Sequence, residues 1–165
     1  MVHYMKVKKS IRVILADDHA MLRRVVRKTL EKTSNICVVA EAGSGSAAVR
    51  LVHQLRPDVL VLDLELPDVK GIEVARQLRL TRIPVAILIL SASNDRNFIA
   101  EVMQVGVDGY VSKSEPPSKL REMVQQVSEK YVVALSLSIF LLPKFQWVLQ
   151  QVVHTWNAFS GDIIS

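Results

Sequence analysis

Five polar residues directly follow apolar stretches of this 165-residue chain, and their types are ones that bind cations and anions. They are Asp17, Asp18, Asp63, Ser91 and Lys113. Clustered carboxylates repel one another unless a cation lies between them, and hard oxygen ligands with a few retained waters suit Mg²⁺. If the fold brings the five residues to one edge, the sequence predicts a Mg²⁺ site flanked by a hydroxyl and an ammonium.

Each of these residues also has a purely structural interpretation. An aspartate at a strand-to-helix junction often caps the next helix, which would explain Asp63 or Asp17 taken alone. A lysine such as Lys113 commonly lies on the surface with its ammonium in water. A helix cap explains one member of the set but not all five, so the set as a whole favours a site.

The elements that must position these residues are buried strands that alternate with helices. Apolar runs predict strands at residues 11–16, 36–41, 59–62, 84–90 and 108–112. Positions with helical spacing follow each run, so we expect the α/β class: a doubly wound, five-stranded parallel sheet with helices on both faces. We expect the strand order 2-1-3-4-5, which brings the carboxylates after strands one and three into a single crevice.

Three motifs occupy the predicted strand ends. They are Asp17-Asp18-His19, Asp63 followed by Pro67 and Gly71, and Gly109-Tyr110-Val111-Ser112-Lys113. Through this joint pattern, residues 11 to about 130 resemble the receiver domains of two-component response regulators, and most of all the receivers found in LuxR-type transcription regulators. The resemblance implies a flavodoxin-like receiver fold. It also implies a signalling domain that carries a phosphoryl group, rather than an enzyme acting on a separate substrate.

The resemblance further implies a role for each residue of the set. Asp63 would take the phosphoryl group. Asp17, Asp18, Asp63 and the backbone carbonyl of Glu65 would hold Mg²⁺, and Lys113 and Ser91 would contact the phosphoryl oxygens. The chemistry agrees with these roles, because a carboxylate can form a covalent acyl phosphate while a metal and a lysine neutralise charge on the transferring group.

Four residues are candidates for control of the phosphorylated state. Ser91 and Tyr110 resemble the family's switch pair, in which the hydroxyl follows the phosphoryl group and the aromatic ring repacks. Alternatively, Tyr110 is an ordinary half-buried aromatic residue of a strand. Glu65 and Ser93 occupy positions that, in the family, help to set how fast the phosphoryl group is lost.

The composition gives weaker indications. The formal charge is +5, but the basic residues are scattered apart from residues 6–9 and 23–32, and we interpret them as mostly solvated helix faces. Cys37 lies in an apolar run and is expected to be a buried small residue. No apolar signal core begins the chain, and the apolar segment 131–142 is shorter than the roughly 20 residues that span a bilayer. We therefore expect a soluble, cytoplasmic protein, and membrane association is not the favoured interpretation.

The resemblance ends near residue 130, which suggests three parts. We expect a basic N-terminal extension at 1–10, the receiver at 11–130 and an apolar helical tail at 131–165 that serves dimerisation or packing. A stripe of apolar residues in 145–160 predicts a helix that must be covered, first by a homodimer, second by its own receiver and third by a membrane surface. The tail is alternatively a product of truncation or of a shifted reading frame.

The expected partners follow from these parts. A histidine kinase or a phosphotransfer protein would supply the phosphoryl group, and a second copy would pair through the C-terminal helices. Direct DNA binding is not expected, because basic residues are sparse after Lys144 and no helix-turn-helix pattern is present. Two alternatives stay open: a receiver-like interaction module that works without phosphorylation, and the truncated receiver part of a DNA-binding regulator.

Overall fold

The computed structural model describes residues 10–140 of the chain, and the side chains of residues 10–129. The strands are Ile11–Ala16 (β1), Ile36–Ala42 (β2), Val59–Leu62 (β3), Ala86–Ser91 (β4) and Gly109–Ser112 (β5). They form one parallel sheet in the order β2-β1-β3-β4-β5. The expected fold and strand order are therefore confirmed.

A helix follows each strand. The helices are Ala20–Leu30 (α1), Gly45–Leu55 (α2), Gly71–Leu80 (α3), Arg96–Gln104 (α4) and Pro117–Phe140 (α5). Side chains mark two of the starts: Ser44 Oγ accepts the N–H of Ala47 before α2, and Asp95 accepts the N–H of Asn97 before α4. The short connections and the alternation of elements are what made the doubly wound sheet predictable.

Burial follows the strand order. Every residue of β3 and β4 is buried, because these inner strands have neighbours on both sides and helices over both faces. Such strands consist of nearly uninterrupted branched apolar residues, which is the pattern that predicted them. The core therefore lies on the inner strands, and the polar side chains at the ends of these strands lie at its border.

Cys37 corrects one expectation. It lies on β2 between buried Ile36 and Val38, yet its side chain is exposed. β2 is an edge strand, and successive side chains of a strand point to opposite faces, so alternate positions of an apolar run can face solvent there. The prediction of a buried cysteine was wrong because it was made from the apolar run alone, although the expected strand order already placed this strand at the sheet edge.

The chain divides into two compact units, residues 1–129 and 130–165, and the sheet lies entirely in the first. Among the described helices, none combines the length and the apolar character that crossing a bilayer requires. The N-terminal extension through residue 9 and the tail helix expected at 145–160 lie outside the described residues, so their roles stay predictions.

Candidate functional site

The strand register brings the chemical groups to one edge of the sheet. Ala16 of β1 pairs with Leu62 of β3, so the residues that follow them leave the sheet side by side. The N–H of Asp63 donates to the carbonyl of Ala16 at 2.8 Å, and the N–H of Asp17 donates to Ala42 on β2 at 3.1 Å. The sheet ladder thus fixes the backbone of both aspartates.

A lysine from a distant strand joins the two carboxylates. Nζ of Lys113, which follows β5, donates to Asp17 Oδ2 at 2.7 Å and to Asp63 Oδ2 at 2.6 Å. The side chains of Asp17 and Asp63 are only 8% and 4% exposed, and that of Lys113 is 20% exposed. Two carboxylates that would repel each other in a poorly hydrated position are held together by one ammonium.

Burial and this shared ammonium act in opposite directions on the pKa values. Burial raises the pKa of Asp63 above its usual value, and the hydrogen bond from Lys113 offsets this only in part. Burial also acts to raise the pKa of Asp17, but hydrogen bonds from Lys113 and the N–H of His19 outweigh it, so that pKa is lowered. Burial acts to lower the pKa of Lys113, yet its two carboxylate partners raise it, so the ammonium form is favoured.

The β1–α1 connection adds a second acidic group. Asp17 Oδ1 accepts the N–H of His19 at 2.7 Å, and His19 Nδ1 lies 2.6 Å from Asp18 Oδ1. Potential ligand atoms of Asp17, Asp18 and His19 lie within 4.8 Å of one another, which is close enough to share a metal ion. Asp17 is not the N-cap of α1, since His19 holds that position, so the helix-cap interpretation does not apply to it.

The same test removes the cap interpretation of Asp63. The helix after it, α3, begins only at Gly71, and Lys70 is its N-cap. The intervening loop turns back on itself, because the N–H of Gly71 donates to the carbonyl of Leu64 at 2.9 Å and a Cβ at Gly71 would overlap the carbonyl oxygen of Asp63. Asp63 therefore lies in a tight loop that admits only glycine at this point of contact.

Glu65 lies in the same loop and contributes through its backbone and its side chain separately. Its N–H donates to Asp63 Oδ1 at 3.3 Å. Its exposed side chain pairs with Lys70 Nζ at 2.7 Å, directed into solvent. The arrangement leaves the Glu65 carboxylate near the loop surface rather than among the buried carboxylates.

Hydroxyl-bearing residues of β4, β5 and the connection after β4 lie near this edge. Ser91 is buried, and its carbonyl accepts the N–H of Lys113 at 2.7 Å, which places Lys113 beside the end of β4. Ser91 Oγ accepts the N–H of Ser93 at 3.3 Å. The hydroxyl of the half-buried Tyr110 donates to the carbonyl of Ser93 at 2.7 Å. The connection after β4 thus links Ser91 to Tyr110 through Ser93.

Sequence reasoning missed two residues that support the site. Asp68 accepts the N–H groups of Gly45, Ser46 and Val69 and the hydroxyl of Ser46, and these contacts hold its pKa well below its usual value. Arg23 donates from a guanidinium N–H to the backbone carbonyl of Asp17 at 2.6 Å. Its one visible signal was its spacing of three and seven residues from buried Val26 and Leu30, which places it on the inner side of α1.

Comparisons with known proteins agree with this architecture. A family model for the response regulator receiver domain matches residues 13–125. The nitrate/nitrite response regulator protein homolog of Haemophilus influenzae is 32% identical over 124 residues, which cover 75% of this chain and 60% of that protein. This chain spans between 51% and 60% of the length of that relative, of the transcriptional regulatory protein DegU of Brevibacillus brevis and of the nitrate/nitrite response regulator protein NarL of Escherichia coli.

Two solved structures share the fold at similar identity. The signal receiver domain of the response regulator NarL from Mycobacterium tuberculosis has 29% identity and a TM-score of 0.71, covering 73% of this chain and 98% of that chain. A LuxR-family two-component response regulator from Aurantimonas sp. SI85-9A1 has 33% identity and a TM-score of 0.71, covering 74% of this chain and 87% of that chain.

Proposed function

Because this chain belongs to the response regulator receiver domain family, we propose that it is a phosphorylation-dependent switch that accepts a phosphoryl group on Asp63. The donor would be the phosphohistidine of a histidine kinase or of a phosphotransfer protein. The observation that carries the proposal is the bridge from Lys113 to Asp17 and Asp63, which joins a buried nucleophile to a cation at the crevice edge of the sheet. A protein that served only as a scaffold would have no need for this arrangement.

The transfer needs little covalent chemistry from the protein. A carboxylate oxygen of Asp63 forms the new O–P bond, while the bond from phosphorus to the donor's histidine nitrogen breaks and the nitrogen keeps the electron pair. The ammonium of Lys113 moves from its bridging position to the oxygens of the incoming group and neutralises part of their charge. The buried hydroxyl of Ser91 donates a further hydrogen bond to them.

The donor set fits Mg²⁺. Asp17, Asp18 and Asp63 supply hard carboxylate oxygens, and Lys113 already shows that a cation is stable between two of them. These residues, with the backbone carbonyl of Glu65, would hold the ion. Bound there, Mg²⁺ would neutralise charge between the Asp63 carboxylate and a dianionic phosphoryl group.

Mass spectrometry of the intact chain tests the proposal. The parent, incubated with acetyl phosphate and Mg²⁺, should gain the mass of one phosphoryl group. Asp63→Asn should gain none, since the nucleophilic oxygen is gone, and a chelator should abolish the gain in the parent. A parent chain that stays unmodified in Mg²⁺ contradicts the proposal and favours the second candidate function, an interaction module that works without phosphorylation.

The hydrogen bond from Tyr110 to Ser93 supports a switch that responds to this modification. In the described state the Tyr110 hydroxyl is held by the carbonyl of Ser93, and Ser93 is held through its N–H by Ser91 Oγ. A phosphoryl group that draws the Ser91 hydroxyl towards itself removes one support of this link. The ring of Tyr110 is then free to repack, which changes the surface formed by α4 and β5.

A phosphoryl mimic tests the switch directly. NMR spectra of the chain with BeF₃⁻ and Mg²⁺ should show a changed environment for the Tyr110 ring, and Asp63→Asn should show none. If the chain binds BeF₃⁻ but the environment of the Tyr110 ring does not change, the switch is ruled out, while the proposed phosphoacceptor role of Asp63 stands.

Glu65 and Ser93 are proposed to set the lifetime of the acyl phosphate. The Glu65 carboxylate and its partner Lys70 are both exposed, so their ion pair contributes little and would give way if the carboxylate turned towards an attacking water or the phosphoryl group. Glu65→Ala should change the rate of phosphoryl loss several-fold. Glu73→Ala removes another exposed glutamate, which has its own ion pair on α3, and should leave the rate unchanged. Equal rates in all three proteins would remove Glu65 from the proposal.

A further inference from the structure

Arg23 departs from the other basic residues of α1 by pointing inward. Its side chain is 18% exposed, whereas that of Arg27, one turn later, is 43% exposed. One guanidinium N–H donates to the backbone carbonyl of Asp17 at 2.6 Å, and Nε donates to Glu41 Oε2 on β2 at 3.2 Å. Arg23 therefore joins the residue after β1 to a neighbouring strand and to α1.

The carbonyl that Arg23 holds has a special position. It belongs to the peptide group between Asp17 and Asp18, so its orientation sets the direction in which both side chains leave the backbone. The other backbone contact of Asp17, from its N–H to Ala42, lies on the opposite side of that residue. Arg23 is thus the side chain that fixes the peptide joining the two adjacent carboxylates.

The charge of Arg23 is compensated locally. Glu41 accepts from Arg23 at 3.2 Å and from Arg27 at 3.1 Å, and Glu31 accepts from Arg27 at 3.3 Å. Two guanidinium groups and two carboxylates therefore form a cluster without net charge. The cluster therefore affects the neighbouring site through the positions of its atoms rather than through charge. The planar guanidinium donates to two acceptors and so fixes their relative positions.

We propose that Arg23 is a positioning residue for divalent-cation binding, because it clamps the Asp17–Asp18 peptide against Glu41 so that both carboxylates face one ion. This inference rests on the proposed function, since it assigns Arg23 to the Mg²⁺ site of that reaction. Residues that orient metal ligands without touching the metal commonly change metal affinity 10- to 100-fold when they are replaced.

The direction of the effect separates a clamp from simple electrostatics. A positive charge near the site repels a cation, so removal of Arg23 would tighten Mg²⁺ binding if charge were its main contribution. Loss of a clamp weakens binding instead, because the carboxylates must then be ordered when the ion arrives. The two interpretations therefore predict Kd changes of opposite sign for Arg23→Met.

Calorimetric titration of the full chain with Mg²⁺, without any phosphodonor, tests the proposal. Arg23→Met should raise the Kd about 10-fold. The matched control is Arg27→Met, which removes another arginine bound to the same Glu41 but without a contact to Asp17, and its Kd should equal that of the parent. Arg23→Lys keeps the charge but reaches only one of the two acceptors, so its Kd should lie between those of the parent and Arg23→Met.

Amide hydrogen exchange gives a readout that needs no metal. The N–H of His19 donates to Asp17 Oδ1, so a loosened peptide should expose it. Its exchange should be faster in Arg23→Met and unchanged in Arg27→Met.

Several outcomes would overturn the inference. A Kd that is unchanged or lower in Arg23→Met, or one raised equally in Arg27→Met, removes the clamp while the proposed function stands. If Arg23→Met does not fold, the Arg23→Lys protein is measured instead, and a Kd equal to that of the parent rules out the clamp. A parent chain that binds no Mg²⁺ removes the Mg²⁺ site itself, and the inference with it.

Discussion

The surroundings of Asp63 disfavour the ionised form of its carboxyl group. Its side chain is 4% exposed, and burial raises its pKa despite the ammonium of Lys113. For Asp17, hydrogen bonds from Lys113 and from the N–H of His19, the latter at 2.7 Å against 3.3 Å for the N–H of Glu65 on Asp63, outweigh burial and lower the pKa. The charge of Asp63 therefore destabilises the fold, whereas that of Asp17 stabilises it, although the two carboxylates share one partner.

We expect Asp63→Asn to increase the free energy of unfolding at pH 7 by about 1 kcal/mol, the usual scale of a single substitution. A carboxyl group whose pKa is raised on folding costs stability at a pH above its usual value of 3.8 and costs nothing well below it. The gain should therefore shrink as the pH is lowered towards 3. Urea unfolding at several pH values measures it, and a less stable Asp63→Asn at pH 7 would contradict the argument.

Lys113→Met should have the opposite effect. It leaves two buried carboxylates without their shared cation, which typically costs about 3 kcal/mol or more. Saturating Mg²⁺ should restore part of that stability, because an ion held by Asp17, Asp18 and Asp63 would supply positive charge to the same carboxylates. Thermal unfolding with and without Mg²⁺ measures both effects. Lys119→Met, which removes an exposed lysine paired with Glu122, should change neither quantity measurably.

At the scale of elements, the loop between β3 and α3 is built around two close contacts. Gly71 packs against the backbone of Asp63, and Asp68 holds the start of α2 through the N–H groups of Gly45 and Ser46. This loop therefore determines both the position of Asp63 and the way α2 meets the sheet. Its stability depends on backbone approach and on hydrogen bonding rather than on apolar burial.

Gly71→Ala should lower the free energy of unfolding by about 1–3 kcal/mol and slow the phosphorylation of Asp63, because the added Cβ displaces the Asp63 backbone. Gly43→Ala is the matched change, since its Cβ would lie at an ordinary 3.6 Å from a terminal nitrogen of Arg23. It should leave both quantities close to those of the parent. Denaturant unfolding and the rate of labelling by acetyl phosphate measure them, and equal behaviour of the two variants would refute the close-contact argument.

Asp68→Asn should lower stability at pH 7 because a neutral amide accepts the N–H groups of α2 less strongly than a carboxylate does. The pKa of Asp68 is lowered on folding, so its contribution is present above its usual value of 3.8 and is lost as the pH falls below it. The difference between parent and variant in the midpoint of unfolding should therefore become smaller below pH 4. A difference independent of pH would show that shape, and not charge, is what Asp68 supplies.

At the scale of the whole molecule, the inner part of the fold was predictable. The apolar runs that became β3 and β4 are buried along their whole length, so composition alone distinguished them from surface segments. The strand ends then followed from topology, which explains why Asp17, Asp63 and Lys113 could be expected at one edge before any distance was known.

The rest depends on side-chain partners that lie far away in the chain. Asp68 meets residues of α2 more than 20 positions earlier, and Arg23 meets Glu41 18 positions later. The spacing of residues within a single helix or strand predicts neither contact. The exposure of Cys37, by contrast, follows from the position of β2 at the sheet edge, which the expected strand order already contained.

A homodimer through the tail stays a prediction for the complete chain. If apolar residues in 145–160 pair with a second copy, the full chain should scatter light as a dimer at micromolar concentration. A chain that ends at Lys130 should scatter as a monomer. Monomers in both cases would exclude the dimer, and dimers in both would assign pairing to the receiver itself.

The Lys113 bridge also bears on how the protein is made. Lys113 lies 96 residues after Asp17 and 50 residues after Asp63. A ribosome therefore completes β1 and β3 well before the lysine that joins their carboxylates is synthesised. Until then no ammonium after β5 compensates the two aspartates that the finished sheet buries, so we expect this edge of the sheet to close only after β5 has left the exit tunnel. The strand of the sheet that is synthesised last would thus determine when the edge that carries Asp63 first forms.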